Sequence, residues 1–369
     1  MKYRSIIYMI ALMILSNGLL AEENQSKHTT EEFQISTPKS NLNAVLYKKN
    51  ESAKSPVVIL LHGSDRGTID DYEEFALGML NSGYAILSYD SPGKGKSTGN
   101  SFGETFEDRL KEVRSIIDHL KTRSDIEANM IGLWGISQGG WICQYAAASF
   151  DDVAFIIPVS GPGVGVVDQE IYRVEQQSIA AGLSEREVKK AVLIRKLLVD
   201  AIAPHPVFEL EIENENYDDV DCRDFKSMIY GGLPEDSVLT NMLPVLERIQ
   251  EKDWAFSLHI EHFLPVLKSM PPQAWPAVKV QFAQTMSFEP TDYLRKIKVP
   301  TLAIFGDKDL SVPVKESVMI YKSEFRKSGN NDLRVIVFED ADHGIRVKGE
   351  RGAKFYPSIN DWLKNLYKK

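Results

Sequence analysis

The chain has 369 residues, 43% hydrophobic and 26% charged, the make-up of a soluble globular protein larger than one minimal domain. Its formal net charge of −9, with no basic stripe to offset it, argues against nucleic acid and anionic membrane surfaces as partners. Two cysteines, Cys143 and Cys222, are too few for a disulfide framework, and Cys143 reads as core packing rather than half of a bridge.

At the N-terminus, Lys2 and Arg4 precede an apolar run from Ile6 to Leu15, followed by small and polar residues to Ala21. A basic start, a short apolar centre and a small residue before a polar stretch are the layout of a secretory signal. The run falls short of the roughly 20 residues that span a bilayer. We therefore expect residues 1–21 to be removed on export to the periplasm or beyond, rather than kept as an anchor helix. Residues 22–30 read as polar and flexible.

From Phe33 the pattern becomes that of a folded domain. Phe33 and Ile35, then Leu42, Ala44 and Leu46, alternate with polar residues as paired strands do. Val57–Leu61, Tyr84–Tyr89, Met130–Trp134, Val153–Val159, Thr301–Phe305 and Leu333–Phe338 are continuous apolar runs, as expected of strands buried on both faces. Between them, Phe106, Leu110, Val113, Ile116, Ile117 and Leu120 recur at helical spacing, and residues 140–149, 311–325 and 357–367 also read as helices. The alternation implies an α/β fold with a mostly parallel sheet and helices on both faces. Residues 163–290 break the rhythm. They are helix-prone, most clearly over 170–200, with an acidic run from Glu209 to Asp221 that reads as a solvated loop. This stretch is expected to be a helical cap inserted into a core formed by residues 22–162 and 291–369.

Gly135-Ile136-Ser137-Gln138-Gly139 lies between one apolar run and one helix. A serine at such a strand-to-helix turn has its hydroxyl lifted clear of the backbone, and the flanking glycines relieve crowding. Serine is a weak nucleophile until a base takes its proton, so a histidine oriented by a carboxylate is required. Of seven histidines, His343 stands out, on the loop after the strand Leu333–Phe338, in Asp340-Ala341-Asp342-His343-Gly344. The carboxylate is expected in Gly306-Asp307-Lys308-Asp309, with Asp309 preferred and Asp307 its competitor; Asp342, adjacent to the base, would tend to diverge from it. Backbone N–H groups of Gln138 and of Ser64, in His62-Gly63-Ser64, are the expected donors to an oxyanion. His62 reads as a loop organiser.

Together, His62-Gly63, Asp90–Ser97, Gly135–Trp141, Gly306-x-x-Asp309 and Asp342-His343-Gly344 resemble the α/β-hydrolase superfamily, and within it the bacterial serine hydrolases of esterase or serine aminopeptidase-like type. The resemblance covers about 33–162 and 292–369 and leaves the cap unmatched. It implies a triad of Ser137, Asp309 and His343, oxyanion donors Ser64 and Gln138, and a lid between the sixth and seventh core strands. Pro92 departs from the arginine common in that loop of the family. The expected activity is hydrolysis of carboxylic esters through an acyl-serine, on a small ester or short peptide-like substrate and with no metal or organic cofactor; amide or thioester hydrolysis on the same triad is the alternative. An inactive hydrolase fold serving as a binding module is disfavoured by the intact triad order. Two other readings are weaker. Gly95-Lys96-Ser97-Thr98 resembles the end of a phosphate-binding loop but lacks its first glycine, and His259-Ile260-Glu261-His262 lacks the zinc-protease spacing.

Overall fold

The computed structural model describes residues 28–49, 54–203, 207–208, 220–231 and 235–367. The proposed signal segment 1–21 and the acidic residues 209–219 lie outside the described residues. An eight-stranded sheet runs in the order β1-β2-β4-β3-β5-β6-β7-β8. Its strands are β1 (Thr29–Ser36), β2 (Asn41–Lys48), β3 (Ser55–Leu61), β4 (Ala85–Tyr89), β5 (Ile126–Ile136), β6 (Phe155–Val159), β7 (Thr301–Gly306) and β8 (Leu333–Phe338). β2 is antiparallel to β1 and β4; β4, β3, β5, β6, β7 and β8 are mutually parallel. The C-terminal ends of β3, β5, β6, β7 and β8 therefore share one edge of the sheet.

Every residue of β3 is buried. Because successive side chains of a strand point to opposite faces, Val57, Ile59 and Leu61 join one core layer while Val58 and Leu60 join the other. The first layer is closed by α2 (Phe106–Lys121), α3 (Gln138–Ser149) and α11 (Val314–Ser328), the second by α1 (Ile69–Met79) and α12 (Phe355–Tyr367). α2 starts at a reciprocal cap in which Asp108 N–H donates to Thr105 Oγ1 and Thr105 N–H donates to Asp108 Oδ2.

Three details differ from the sequence reading. β1 begins at Thr29, so the end of the stretch expected to be flexible is paired against Lys48 and Tyr47. β8 is only partly buried, with Val337 46% exposed, because it is an edge strand with a neighbour on one side only. The helix expected from Ser311 starts at Val314, after Pro313.

Between β6 and β7 the described residues are helical and contain no strand in 163–290. α4 (Val166–Ala180) and α5 (Glu185–Ile202) are separated at Gly182, whose φ of 79° turns the chain. α6 (Val220–Tyr230), α7 (Glu235–Gln250), α8 (Ile260–Ser269) and α9 (Trp275–Met286) follow. They enclose a third core of their own around Ile194, Leu197, Leu246 and Trp275. α10 (Thr291–Leu294) returns the chain to the sheet.

Candidate active site

Ser137 closes β5 and caps α3 with φ 54° and ψ −120°, a left-handed conformation costing about 1–3 kcal/mol for a residue with a side chain. The strain is held from both sides: Ser137 N–H donates to Val159 O (2.9 Å), and Gly140 N–H donates to Ser137 O (2.8 Å). The two glycines of the motif are sterically required. A Cβ on Gly135 would lie 2.3 Å from Gly139 O, and one on Gly139 would lie 2.4 Å from Leu61 O. The serine is thus half-buried at the positive end of a helix.

His343 stands beyond β8 with its Nδ1 2.8 Å from Asp309 Oδ2. Asp309 lies beyond β7, its side chain fully buried, while the imidazole keeps 31% of its surface exposed. The other carboxylate oxygen of Asp309 accepts from Ser311 N–H (2.7 Å) and Val312 N–H (3.0 Å), which leaves Oδ2 aimed at the ring. Of the two aspartates in this loop, only Asp309 meets His343; Asp307 faces Lys308 at 3.4 Å. Asp342 accepts from Gly344 N–H and Arg346 N–H and shapes the turn that carries the histidine. Burial alone would lower the pKa of His343, but the charge and hydrogen bond of Asp309, helped by Asp342, outweigh it and raise it above the ordinary imidazole value. With Nδ1–H directed at Asp309, the Nε2 lone pair is free to accept a proton.

Ser137 and His343 are tied to the same sheet edge through β6. Ser137 N–H rests on Val159 O, and the next residue, Ser160, donates from its hydroxyl to His343 O at 2.8 Å. Among the described residues no hydrogen bond joins Ser137 Oγ to the imidazole; catalytic contacts of this kind commonly tighten only with substrate present. Arg351 donates to Gly344 O and braces the far side of the histidine loop.

The turns after β3 and β5 bring backbone amides to this edge. Gly63 N–H is used by Tyr72 Oη (2.9 Å), but the N–H groups of Ser64 and Gln138 donate to nothing among the described residues. Both residues reach solvent. His62, just before them, is fully buried between the rings of Tyr72 and Tyr89, with Nδ1 2.5 Å from Ser91 Oγ. Burial, then the charges of Arg66 and Arg109, pushes its pKa well down, so it is a neutral packing element.

Several neighbours carry no motif. Arg109 of α2 donates to Gln138 Oε1 and to His62 O, both at 2.5 Å. It sits three residues after Phe106 and four before Val113, in register with the apolar stripe of α2, and a charged residue there is the signal that would have found it. Three side chains of cap helix α4 reach the acid loop: Tyr172 Oη donates to Asp309 O (3.3 Å), Gln169 Nε2 to Ser311 O (2.6 Å) and Gln177 Nε2 to Ser311 Oγ (3.5 Å).

The loop 90–98 is organised by its own aspartate. Asp90 accepts from Ile69 N–H and Lys96 N–H, both at 2.9 Å, and from Asn43, leaving no open cradle of amides for phosphate. Among the described residues no cluster of three or more His, Cys, Asp or Glu side chains is placed to hold a metal ion, and both cysteines are buried and unbridged. No described helix is long and apolar enough to cross a membrane. Inside the cap lies an apolar cavity of about 130 Å³, lined among others by Leu198, Met242, Trp275, Phe282 and Met286, with Phe102 reaching it from the core.

Comparison with known proteins divides the chain in two. Residues 52–217, which include Ser137, match the model of the serine aminopeptidase family S33; residues 264–369, which include Asp309 and His343, match that of the prolyl oligopeptidase family. An uncharacterised 31.7 kDa protein of Escherichia coli is 26% identical over 203 residues, 54% of this chain and 66% of the relative. The match therefore spans just under two thirds of that protein. A hydrolase of a Fusarium species is 30% identical over 115 residues, 30% of this chain and 27% of its own. Among solved structures, proline iminopeptidase of Mycobacterium smegmatis superposes with a TM-score of 0.54 at 13% identity, covering 91% of this chain and 98% of that one. An esterase of Pyrococcus furiosus gives 0.52 at 15% identity, covering 92% and 90%. At these identities the two structures share the fold.

Proposed function

Because the chain belongs to the α/β-hydrolase superfamily, we propose that it is an exported serine hydrolase that cleaves carboxylic esters through an acyl-serine. The observation that carries this reading is the His343–Asp309 pair at 2.8 Å, on the same sheet edge as a serine held at φ 54°. In the proposed reaction Ser137 Oγ attacks the carbonyl carbon as its proton passes to His343 Nε2. Asp309 holds the ring and balances its charge. The carbonyl oxygen becomes an anion and takes hydrogen bonds from the N–H groups of Ser64 and Gln138. Collapse expels the alcohol, which takes the proton from Nε2. Water then repeats the sequence on the acyl-serine, releasing the acid and free Ser137.

In this reading the cap, 163–290, selects the acyl group. An acyl chain that reached its apolar cavity would gain about 0.8 kcal/mol for each methylene buried. The family match over the serine-bearing part favours one second reading, an aminopeptidase acting on short peptide amides with the same triad.

A fluorophosphonate probe tests the nucleophile: the wild-type chain should be labelled and Ser137→Ala should not. A kinetic panel of 4-nitrophenyl esters of rising chain length, set against aminoacyl and prolyl amides, decides between ester and amide. Labelling of Ser137→Ala at the wild-type level would overturn the proposal.

A further inference from the structure

Arg109 is buried, yet nothing in the scheme above uses it. It lies one turn into α2, where its N–H donates to Thr105 O, the residue of the reciprocal cap. Its backbone is therefore anchored directly to the capped end of that helix. From there the planar guanidinium forks. Nη1 takes the side chain of Gln138 and Nη2 the backbone carbonyl of His62. These acceptors belong to the two separate segments that present the free amides: Gln138 itself, and the turn in which Ser64 follows His62 by two residues. A rigid, two-pronged donor suits this bridge in a way that a lysine ammonium does not.

The charge of Arg109 is equally unusual. The two nearby carboxylates, Glu104 and Glu112, are both taken by Arg66, at 2.5 and 2.9 Å. Among the described residues no carboxylate lies within ion-pair distance of Arg109, whose bonds go to neutral oxygens. Glu112 offsets part of that charge through space, but a buried cation that touches no anion is costly. A negative charge forming on the amides of Ser64 and Gln138 would add to that partial compensation, and only while it exists. That is the condition for lowering a barrier rather than tightening substrate binding.

Resting on the proposed serine-hydrolase reading, we infer that Arg109 is a positioning residue. It locks the two amide-bearing segments together and holds against both of them a positive charge that touches no carboxylate.

The test compares Arg109→Met, Arg109→Lys and Gln138→Met with the wild-type chain on a 4-nitrophenyl ester, with melting temperatures alongside. Arg109→Met should lose about 100-fold in kcat, the scale of one oxyanion donor, with KM changed less than about three-fold. Arg109→Lys keeps the charge without the fork and should recover about a tenth of the wild-type kcat. Gln138→Met, at a half-exposed position, removes one prong and should cost about ten-fold in kcat. A folded Arg109→Met with wild-type kcat, or with only KM raised, overturns the inference. Should Arg109→Met fail to fold, wild-type kcat in both Arg109→Lys and Gln138→Met overturns it instead. Fluorophosphonate labelling separates the two levels. If Ser137→Ala labels like wild type, the serine-hydrolase reading has failed; if only that variant is silent and the Arg109 variants acylate at the wild-type rate, the role of Arg109 alone has failed.

Discussion

His343 and Asp309 meet at 2.8 Å across the boundary between solvent and core, the imidazole a third exposed and the carboxylate fully buried. The buried charge cannot be screened by water, so it governs the protonation of its exposed partner. Two consequences with opposite pH trends follow.

Activity should require neutral His343. Since Asp309 and Asp342 raise its pKa, the acid limb of kcat/KM should fall above the ordinary imidazole value of about 6.5. Stability runs the other way. A pKa raised on folding contributes stability that is fully present below the unfolded value and is lost as pH rises through the folded one. Melting temperatures of wild type and His343→Gln should therefore differ most at acid pH and converge above the limb seen in kinetics. Convergence in the reverse direction would contradict the pairing.

Asp309→Asn should lower activity by about 10⁴-fold and move the acid limb to lower pH. Asp307→Asn should leave both nearly unchanged, because the Asp307 side chain faces Lys308 while that of Asp309 meets His343. Kinetic profiles of the two variants give the answer, and a larger loss in Asp307→Asn would reverse the assignment of the acid.

These two aspartates show where sequence reasoning stopped. They lie two residues apart in one turn, and both are plausible there; only the path of the loop, pinned by Ser311 N–H and Val312 N–H on Asp309, decides which carboxylate is turned inward. Ser137 was legible because the turn it occupies imposes glycines at fixed offsets, and His343 because it follows an apolar run. The edge position of β8 was not legible, since its apolar residues read like those of a central strand. Arg109 was hidden differently. Its place on the apolar stripe of α2 was visible, but its two acceptors come from segments 29 and 47 residues away in the chain.

Gly139→Ala should destabilise the fold by about 1–3 kcal/mol, because its new Cβ would meet Leu61 O at 2.4 Å and His62 O at 2.7 Å. Both are backbone atoms of the segment leading to Ser64, so relief of the clash should also displace an oxyanion donor. Thermal melts and esterase rates should fall together. Unchanged values in both would show that α3 shifts freely, against the close packing described.

Phe282→Ala and Met286→Ala enlarge the cap cavity. Each should shift the ratio of kcat/KM toward longer acyl chains by several-fold, at about 0.8 kcal/mol for each extra methylene accommodated. Ser137 should stay equally reactive toward a small fluorophosphonate. A change in melting temperature with a constant substrate ratio would leave the cap a purely structural role.

Export predicts that the mature chain begins after Ala21. Intact-mass measurement on protein from fractionated cells checks this. Residues 1–21 retained on a cytosolic protein would refute it.

The contacts of α4 bear on how such a chain can be taken apart. Gln169, Tyr172 and Gln177 belong by sequence to the inserted helices, yet they grip the loop that carries Asp309. The seam of the insertion is thus not its functional border. Grafting a foreign cap at Gly163 would strip these supports from the Asp309 loop along with the cavity, and on the proposed triad the chimera would lose turnover as well as selectivity. A cut at Gly182, where the chain already turns, would leave those supports with the recipient. Modularity in this protein begins one helix later than its topology suggests.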